Sequence, residues 1–225
     1  MSFTAELVAA LEGVWAAIQA LHPDVPDVVV MLGSGTLGLR PGQVRLGQFE
    51  AGRWQRGEAT DRVPELFIGG EGLRRGPGEV LATLLHEAAH GIAHVRGIKD
   101  TSRQGRYHNA RYKALAVELG LVVAGGGSLG WTDTRVPPST AQLYARPLAV
   151  LETTLVAFRH PEASGPGKKK SNNGTVARCS CSRQFRITRA VLDLGPISCG
   201  ACGSQFEDTN PATPDLGADN GSDHA

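Results

Sequence analysis

Apolar side chains recur every three or four positions near the start of the chain, the spacing that lines one face of a helix. This series predicts a helix over residues 2–21, ended by Pro23. Residues 79–94 predict a second helix, and there apolar residues cover nearly every direction of the helical wheel, so that this helix should be buried. The apolar face of the first helix consists of Leu7, Leu11, Val14, Ile18 and Leu21.

Further helices and three strands complete the predicted secondary structure. A helix that carries Tyr112 and Leu115 should stop at Gly120, and residues 137–158 favour a helix broken at Pro147. The mixture of elements indicates an α+β fold. Short alternating or β-branched runs, bounded by glycine, proline or aspartate, predict strands over 28–32, 43–50 and 63–68.

Composition divides the chain into four parts. Residues 160–174 are rich in glycine, proline, serine and lysine, and predict a flexible basic linker. We expect a folded domain over 1–159 before it and a cysteine-containing module over 175–206 after it. Residues 207–225 contain five acids and neither lysine nor arginine, which predicts a disordered acidic tail.

The overall composition is that of an ordinary globular protein, since 41% of the 225 residues are hydrophobic and 20% are charged. The formal net charge of +1 means that any attraction to nucleic acid or membranes must come from local clusters. Apolar runs fall short of the ~20 residues that cross a bilayer, and the amphipathic start lacks the basic lead of a signal peptide. We therefore expect a cytoplasmic protein with no membrane partner.

The buried helix contains the motif His-Glu-Ala-Ala-His at residues 86–90. Residues four apart on a helix point the same way, so His86 and His90 can share one zinc ion. Glu87 lies about 100° around the helix from His86, where it can act as a base toward water at the metal rather than as a ligand. A pair of hydrogen-bonded core histidines is the alternative, but three ionisable groups in an apolar helix are costly unless a metal compensates them.

A third zinc ligand must come from elsewhere in the chain. His94 lies two turns from His86, about 12 Å along a straight helix, which is too far for one tetrahedral ion. His108 and Glu118 both lie on or next to the following helix, after a loop long enough to reverse the chain. We favour His108, because imidazole matches zinc better, and Glu118 remains the alternative.

Taken together, these residues resemble the SprT-like zincins, the group that includes the Spartan proteases. The resemblance lies in the motif at 86–90, in His108 with the aromatic-lysine pair that follows it, and in the Leu-Gly pair that ends the helix. It covers residues from about 1 to 130, although many members have glycine where this chain has Asn109. It implies a metallopeptidase core with an N-terminal helix, a small antiparallel sheet and two helices that carry the metal ligands.

All four cysteines lie in two close pairs separated by 17 residues, a spacing that can close a tetrahedral zinc site of four thiolates. The module around them has few large apolar residues, so that a structural zinc should supply much of its folding energy. SprT-like proteins often carry such a C-terminal zinc ribbon, which extends the resemblance through residue 206. The predicted ligands are Cys179, Cys181, Cys199 and Cys202.

Seven basic residues and no acid occur between residues 168 and 189, a cluster that can bind phosphates without sequence preference. A solvated linker is the alternative, and one interleaved aromatic residue, Phe185, does not make a base-stacking platform. The resemblance to DNA-associated proteases favours nucleic-acid binding by analogy. The residues are Lys168, Lys169, Lys170, Arg178, Arg183, Arg186 and Arg189.

The sequence therefore predicts a zinc metalloendopeptidase with one catalytic and one structural zinc ion, in which Glu87 is the general base. Its expected partners are a protein or peptide substrate and, by resemblance, DNA-associated proteins and DNA. Two alternatives stay open. One is a non-catalytic nucleic-acid-binding or transcription-associated protein in which both zinc sites are structural, and the other is a zinc hydrolase that acts on a non-protein amide.

Overall fold

The computed structural model describes residues 2–58, 60, 62–162 and 174–209. The chain forms two compact units that divide between residues 164 and 165. The predicted basic residues Lys168, Lys169 and Lys170, most of the predicted linker and the tail beyond residue 209 lie outside the described residues.

Five α-helices in unit 1 lie close to the positions that periodicity predicts. The break between the last two falls at Tyr144 and not at the predicted Pro147. Pro147 lies in the first turn of the final helix, where a backbone N–H has no helical partner, so that proline is tolerated there. The helices are α1 (Phe3–Leu21), α2 (Pro77–Val95), α3 (Ala110–Glu118), α4 (Pro138–Leu143) and α5 (Ala145–Thr154).

A three-stranded sheet precedes α2 and is mixed, whereas the resemblance implied an antiparallel sheet. Its strands are β1 (Val29–Gly33), β2 (Gly47–Gln55) and β3 (Arg62–Gly69), in the order β1-β3-β2. β3 pairs parallel with β1 and antiparallel with β2. The 34–46 connection is long enough to carry the chain across the end of the sheet, so that β3 returns between the two earlier strands. β2 thereby becomes an edge strand, beginning four residues later than predicted.

The core of unit 1 forms where α1, α2 and α3 pack together with the sheet. α2 is the most central helix, as its all-round apolar surface predicts. By length and composition alone α1 could cross a membrane, but one face of α1 is buried in this core. Fully buried side chains from these elements include Leu11, Ile18, Leu66, Leu81, Leu85 and Tyr112.

Two short hairpins follow α2 and α3. Strands β4 (Thr101–Ser102) and β5 (Tyr107–His108) form the first, and β6 (Val122–Ala124) and β7 (Asp133–Arg135) form the second. The first hairpin carries His108 back toward α2, as the predicted chain reversal requires. Between β3 and α2 the chain forms a 3-10 helix, Gly70–Arg75.

A buried carboxylate ties the end of unit 1 to the turn after β1. Glu71 accepts hydrogen bonds from the Gly35 N–H at 2.7 Å and from the Thr36 hydroxyl at 3.1 Å, and it pairs with Arg159 at 3.2 Å. The Glu162 N–H also donates to Thr36. The contacts of unit 1 therefore continue three residues past the predicted domain end at 159. Although burial opposes it, these partners hold the pKa of Glu71 below its ordinary value.

Unit 2 is a small sheet beside the cysteines. β8 (Thr175–Arg178) pairs antiparallel with β9 (Gln184–Ile187) and with β10 (Glu207–Asp208), and a short helix, α6 (Arg189–Leu192), follows β9. The aromatic rings of Phe185 and Phe206 pack edge to face at 4.7 Å. β10 lies just beyond the predicted end of the module at 206, so that the sheet of unit 2 includes two residues of the predicted tail.

Candidate functional site

The three predicted histidines converge on one point. His86 and His90 lie one turn apart on α2. His108 lies at the end of β5, two residues before α3, and not on a second helix as the resemblance implied. Nitrogen atoms of all three histidines are within 4.8 Å of one another. The Nε2 atoms of His90 and His108 are 3.0 Å apart. A tetrahedral zinc ion with bonds of 2.0 to 2.1 Å separates its ligand nitrogens by about 3.3 Å. The donor set and its spacing therefore fit zinc.

Two side chains orient the histidines of α2. The Nδ1 atom of His90 lies 2.5 Å from a carboxylate oxygen of Asp100, which fixes the ring so that Nε2 points toward the other histidines. The Nδ1 atom of His86 lies 3.4 Å from the hydroxyl of Thr134 on β7. A carboxylate behind a histidine is the usual support for a metal ligand, because it sets the tautomer and raises the basicity of the ring.

The backbone of His108 is held by the glycine-rich segment that precedes β7. Its N–H donates to the Leu129 carbonyl at 3.0 Å, and its carbonyl accepts from the Trp131 N–H at 3.1 Å. Gly130 between them has φ = 77°, and a Cβ there would lie 2.1 Å from the His108 carbonyl oxygen. Only glycine allows this approach. The Asn109 N–H also donates to the Asp100 carbonyl, while the Asn109 side chain caps α3.

Glu87 is 6% exposed, and the edge strand β2 contacts its carboxylate. The Phe49 N–H donates to Oε2 of Glu87 at 2.8 Å. A Cβ on Gly47 would lie 2.7 Å from Oε1 of Glu87, so that glycine at this position makes room for the carboxylate. The backbone of β2 at Gly47 and Phe49 therefore confines the Glu87 carboxylate to a position next to the histidines.

The electrostatics of the histidine cluster suit metal ligation. Burial and repulsion from neighbouring histidines lower the pKa of His86 well below its ordinary value, and burial and His90 lower the pKa of His108 to about 4. Both rings are therefore neutral at pH 7, as metal binding requires, whereas, although burial opposes it, the hydrogen bond with Asp100 raises the pKa of His90. Burial, although opposed by His90 and the Phe49 N–H, raises the pKa of Glu87, which favours a proton-accepting role.

Tyr112 forms the floor of the histidine cluster. Its ring centroid lies 4.5 to 4.9 Å from the ring centroids of all three histidines, and its hydroxyl is buried without a hydrogen-bond partner among the described residues. The nearby Tyr107 on β5 packs its ring against a different group, the Arg103 guanidinium, at 4.8 Å. Tyr112 therefore acts as packing beneath the site.

The cluster opens into a cleft with two lobes. One lobe has a volume of about 580 Å³ and extends toward β7, and the other has a volume of about 690 Å³ and extends along β2. His86, Glu87 and His108 line both lobes, and Gly47 borders both. A ligand that spans the cleft would therefore pass over the histidines and Glu87.

The two rejected or alternative ligands lie elsewhere. His94 faces the lobe along β2, where its ring packs against Phe49 at 6.1 Å, and it is outside the histidine cluster. Glu118 forms a two-point ion pair with Arg96 at 2.7 and 2.8 Å. The Glu118 carboxylate therefore pairs with the residue that caps the C-terminal end of α2, and it does not belong to the histidine cluster.

The four cysteines of unit 2 form a second cluster, with all four sulfur atoms within 4.8 Å of one another. The Cys181 sulfur lies 3.2 Å from that of Cys179 and 3.7 Å from that of Cys199. Sulfur atoms around a tetrahedral zinc are about 3.8 Å apart. Hydrogen bonds from Ser204 and Ser180 lower the pKa of Cys202 to about 5, which favours the thiolate that a metal needs, whereas hydrogen bonds with Cys179 and Cys202 raise the pKa of Cys181 to about 12.

Four of the predicted basic residues lie on the exposed surface of unit 2. Arg178 donates to Gln184, and Arg189 pairs with Asp208 at 2.7 Å. Arg183 lies just before β9 and Arg186 lies in it, and both are exposed. The described part of the basic cluster is therefore arginine-rich but partly engaged with neighbouring side chains.

Several supporting residues were not predicted from the sequence. Asp100 had a signal, because it is a carboxylate in the connection between the two ligand-bearing segments. Gly130 and Gly47 had only the weak signal of any glycine beside an alternating segment, and Thr134 had none. These residues act through contacts between distant parts of the chain.

Comparisons with known proteins add no relative: no family model, curated protein or solved structure matches this chain.

Proposed function

We propose that this protein is a zinc-dependent endopeptidase of the SprT-like zincin type. The observation that carries the proposal is the convergence of His108 on the two histidines of α2, beside a buried Glu87 and at the junction of two cleft lobes. Structural zinc sites bind four protein ligands, whereas catalytic sites bind three and keep one position open. Among the described residues this cluster has three ligands, and it faces the cleft.

In this proposal His86, His90 and His108 hold the ion and Asp100 orients His90. Zinc bound there would supply a Lewis acid that polarises a peptide carbonyl and makes water acidic near neutral pH. Glu87 takes a proton from the attacking water on its carboxylate and passes it to the leaving amine. The Phe49 N–H keeps this carboxylate oriented between the two transfers.

The edge strand β2 is the proposed binding site for the substrate main chain. The Phe49 N–H points away from β3 and toward Glu87, so that the open edge of β2 faces the centre. An extended peptide added to this edge would run along the cleft with its main chain hydrogen-bonded. Its scissile bond would then lie beside Glu87.

For unit 2 we propose a structural zinc ribbon that brings the peptidase to DNA. The sulfur spacing of the four cysteines supports the first part, and the exposed Arg183 and Arg186 support the second. The substrates would then be proteins associated with DNA, in the cytoplasm of the cell. If these arginines bind DNA but the histidine centre does not cleave peptides, the protein is instead a non-catalytic nucleic-acid-binding protein.

The test is the cleavage of a lysine-rich DNA-binding protein by the zinc-loaded chain, with and without single-stranded DNA. We expect Glu87→Gln to abolish cleavage while both zinc ions remain bound, as counted by elemental mass spectrometry. Glu12→Gln, an exposed residue on α1, is the matched control and should cleave like the wild type. Equal cleavage by Glu87→Gln would refute the peptidase, and an absence of cleavage combined with DNA binding would favour the nucleic-acid-binding alternative.

A further inference from the structure

Two arginines line both lobes of the cleft next to the histidine cluster. Arg45 lies on the segment that leads into β2, and Arg106 lies on the β4–β5 hairpin, two residues before His108. Both side chains are exposed. The residues that line both lobes also include His86, Glu87 and His108, so that the two arginines stand near the position of the proposed reacting bond.

Neither arginine is neutralised by a carboxylate among the described residues. Arg45 donates to the amide oxygen of Gln48 at 2.8 Å, and Arg106 donates to that of Gln104 at 2.7 Å. Arg45 is also near enough to Glu87 to act on its charge. Neither guanidinium group forms an ion pair with a carboxylate among the described residues, so that both keep hydrogen-bond donors available to a ligand in the cleft, although the charge of Arg45 also acts on Glu87.

The other charged residues of the cleft have partners or lie farther out. Glu79 pairs with Arg75, and Asp100 supports His90. Of the remaining carboxylates, Glu87 lines both lobes, Glu50 only the lobe along β2 and Asp133 only the lobe toward β7. Two arginines and the single carboxylate of Glu87 thus lie at the junction of the lobes, which leaves one positive charge in excess there.

The hairpin that carries Arg106 has an unusual backbone. Arg103 and Gln104 have φ values of 53° and 59°, and Gly105 follows with φ = 81°. Consecutive residues other than glycine rarely adopt this left-handed conformation, and such strain concentrates at functional sites. Here the strained turn directs the chain so that Gln104, Gly105 and Arg106 all border the cleft.

We infer that Arg45 and Arg106 select substrates with an aspartate or glutamate next to the cleaved bond, an inference that rests on the proposed peptidase function. A guanidinium group binds a carboxylate through paired hydrogen bonds, and both arginines have this capacity unused by any carboxylate of the described residues. In a DNA-associated protein that is basic overall, the cleaved bonds would lie at its acidic positions.

The experiment is to map the cleavage sites of the zinc-loaded protein in a proteome-derived peptide library by mass spectrometry. Matched peptides with aspartate, asparagine or lysine at the selected position then give ratios of kcat/KM within each enzyme. We expect the wild type to favour aspartate over asparagine by about three- to fivefold, the size of an exposed charge pair. Salt should reduce this ratio, because the charges are exposed to solvent.

Arg45→Gln and Arg106→Gln should each lower the aspartate-to-asparagine ratio, and Arg45→Glu should turn the preference toward lysine. Arg40→Gln is the matched control, since Arg40 is exposed on the same 34–46 segment as Arg45 but does not line the cleft. Cleavage without any acidic preference, or a preference that survives both substitutions, would overturn this inference and leave the peptidase standing. If no cleavage depends on Glu87, the peptidase and the inference fall together.

Discussion

Replacing Gly47 by alanine tests whether β2 positions the base. The new Cβ would lie 2.7 Å from Oε1 of Glu87 and 2.7 Å from Cγ2 of Thr83, about 0.7 Å short of the 3.4 Å at which ordinary contacts begin. Neither neighbour can move freely, because Glu87 is buried and Thr83 belongs to the central helix. The carboxylate must therefore shift by several tenths of an ångström.

The expected effects follow from that displacement. A misplacement of about 1 Å can cost about 10²-fold in rate, so we expect kcat/KM for peptide cleavage to fall by roughly 10- to 100-fold. Overpacking should lower the free energy of unfolding by about 1 to 3 kcal/mol. Zinc content should remain that of the wild type, because all three histidines lie outside β2.

The assay combines kcat/KM, zinc content and thermal unfolding. Gly78→Ala is the matched control, because a Cβ at Gly78 meets nothing within 4 Å, and it should retain wild-type activity. Adding Thr83→Ser to Gly47→Ala removes the close contact with Thr83 and leaves the two with Glu87, so it should recover part of the stability but not the activity. Wild-type kcat/KM in a zinc-loaded Gly47→Ala protein would refute the idea that β2 confines Glu87.

Two further predictions concern the support of the histidines. Asp100→Asn should weaken zinc binding to the histidine cluster by about 10- to 100-fold, because it removes the charge behind His90, and competition with a chelator measures this. An unchanged affinity would mean that Asp100 does not orient the ligand. Tyr112→Phe should keep full activity and leave the free energy of unfolding unchanged or raised by about 1 kcal/mol, because the lost hydroxyl is buried and has no hydrogen-bond partner in the part of the chain that the structure describes. A loss of kcat in Tyr112→Phe would instead assign the hydroxyl a direct role.

The sequence was sufficient to predict the helix that carries His86 and His90, because periodicity along a helix is a local signal, but it placed His108 at the start of the next helix, whereas the structure places it on β5. The all-round apolar surface of residues 79–94 predicted α2, and the structure extends it by only two residues at the start and one at the end. The turn chemistry around Gly120 likewise predicted the end of α3, where Gly120 adopts φ = 82°. Each of these elements is decided by residues close together in the chain.

The sheet and the support of the site depended on contacts that no local pattern reveals. The parallel pairing of β1 with β3 depends on where the 34–46 connection crosses the sheet, and Gly130 is needed only because His108 lies against it. Asp100 approaches His90 through the β4–β5 hairpin, whose strands have two residues each. Strands of that length carry too few side chains for alternation to be detected.

The ion pair between Glu71 and Arg159 sets the smallest fragment of unit 1 that is worth expressing alone. A fragment that ends with α5 at Thr154 would omit Arg159, the one cation that pairs with Glu71 among the described residues. Glu71 would then remain buried with its negative charge supported only by hydrogen bonds from the turn at residues 35–36. A boundary placed after Glu162 retains the guanidinium and the contact with Thr36, and so yields a fragment in which the charge of Glu71 keeps its partner.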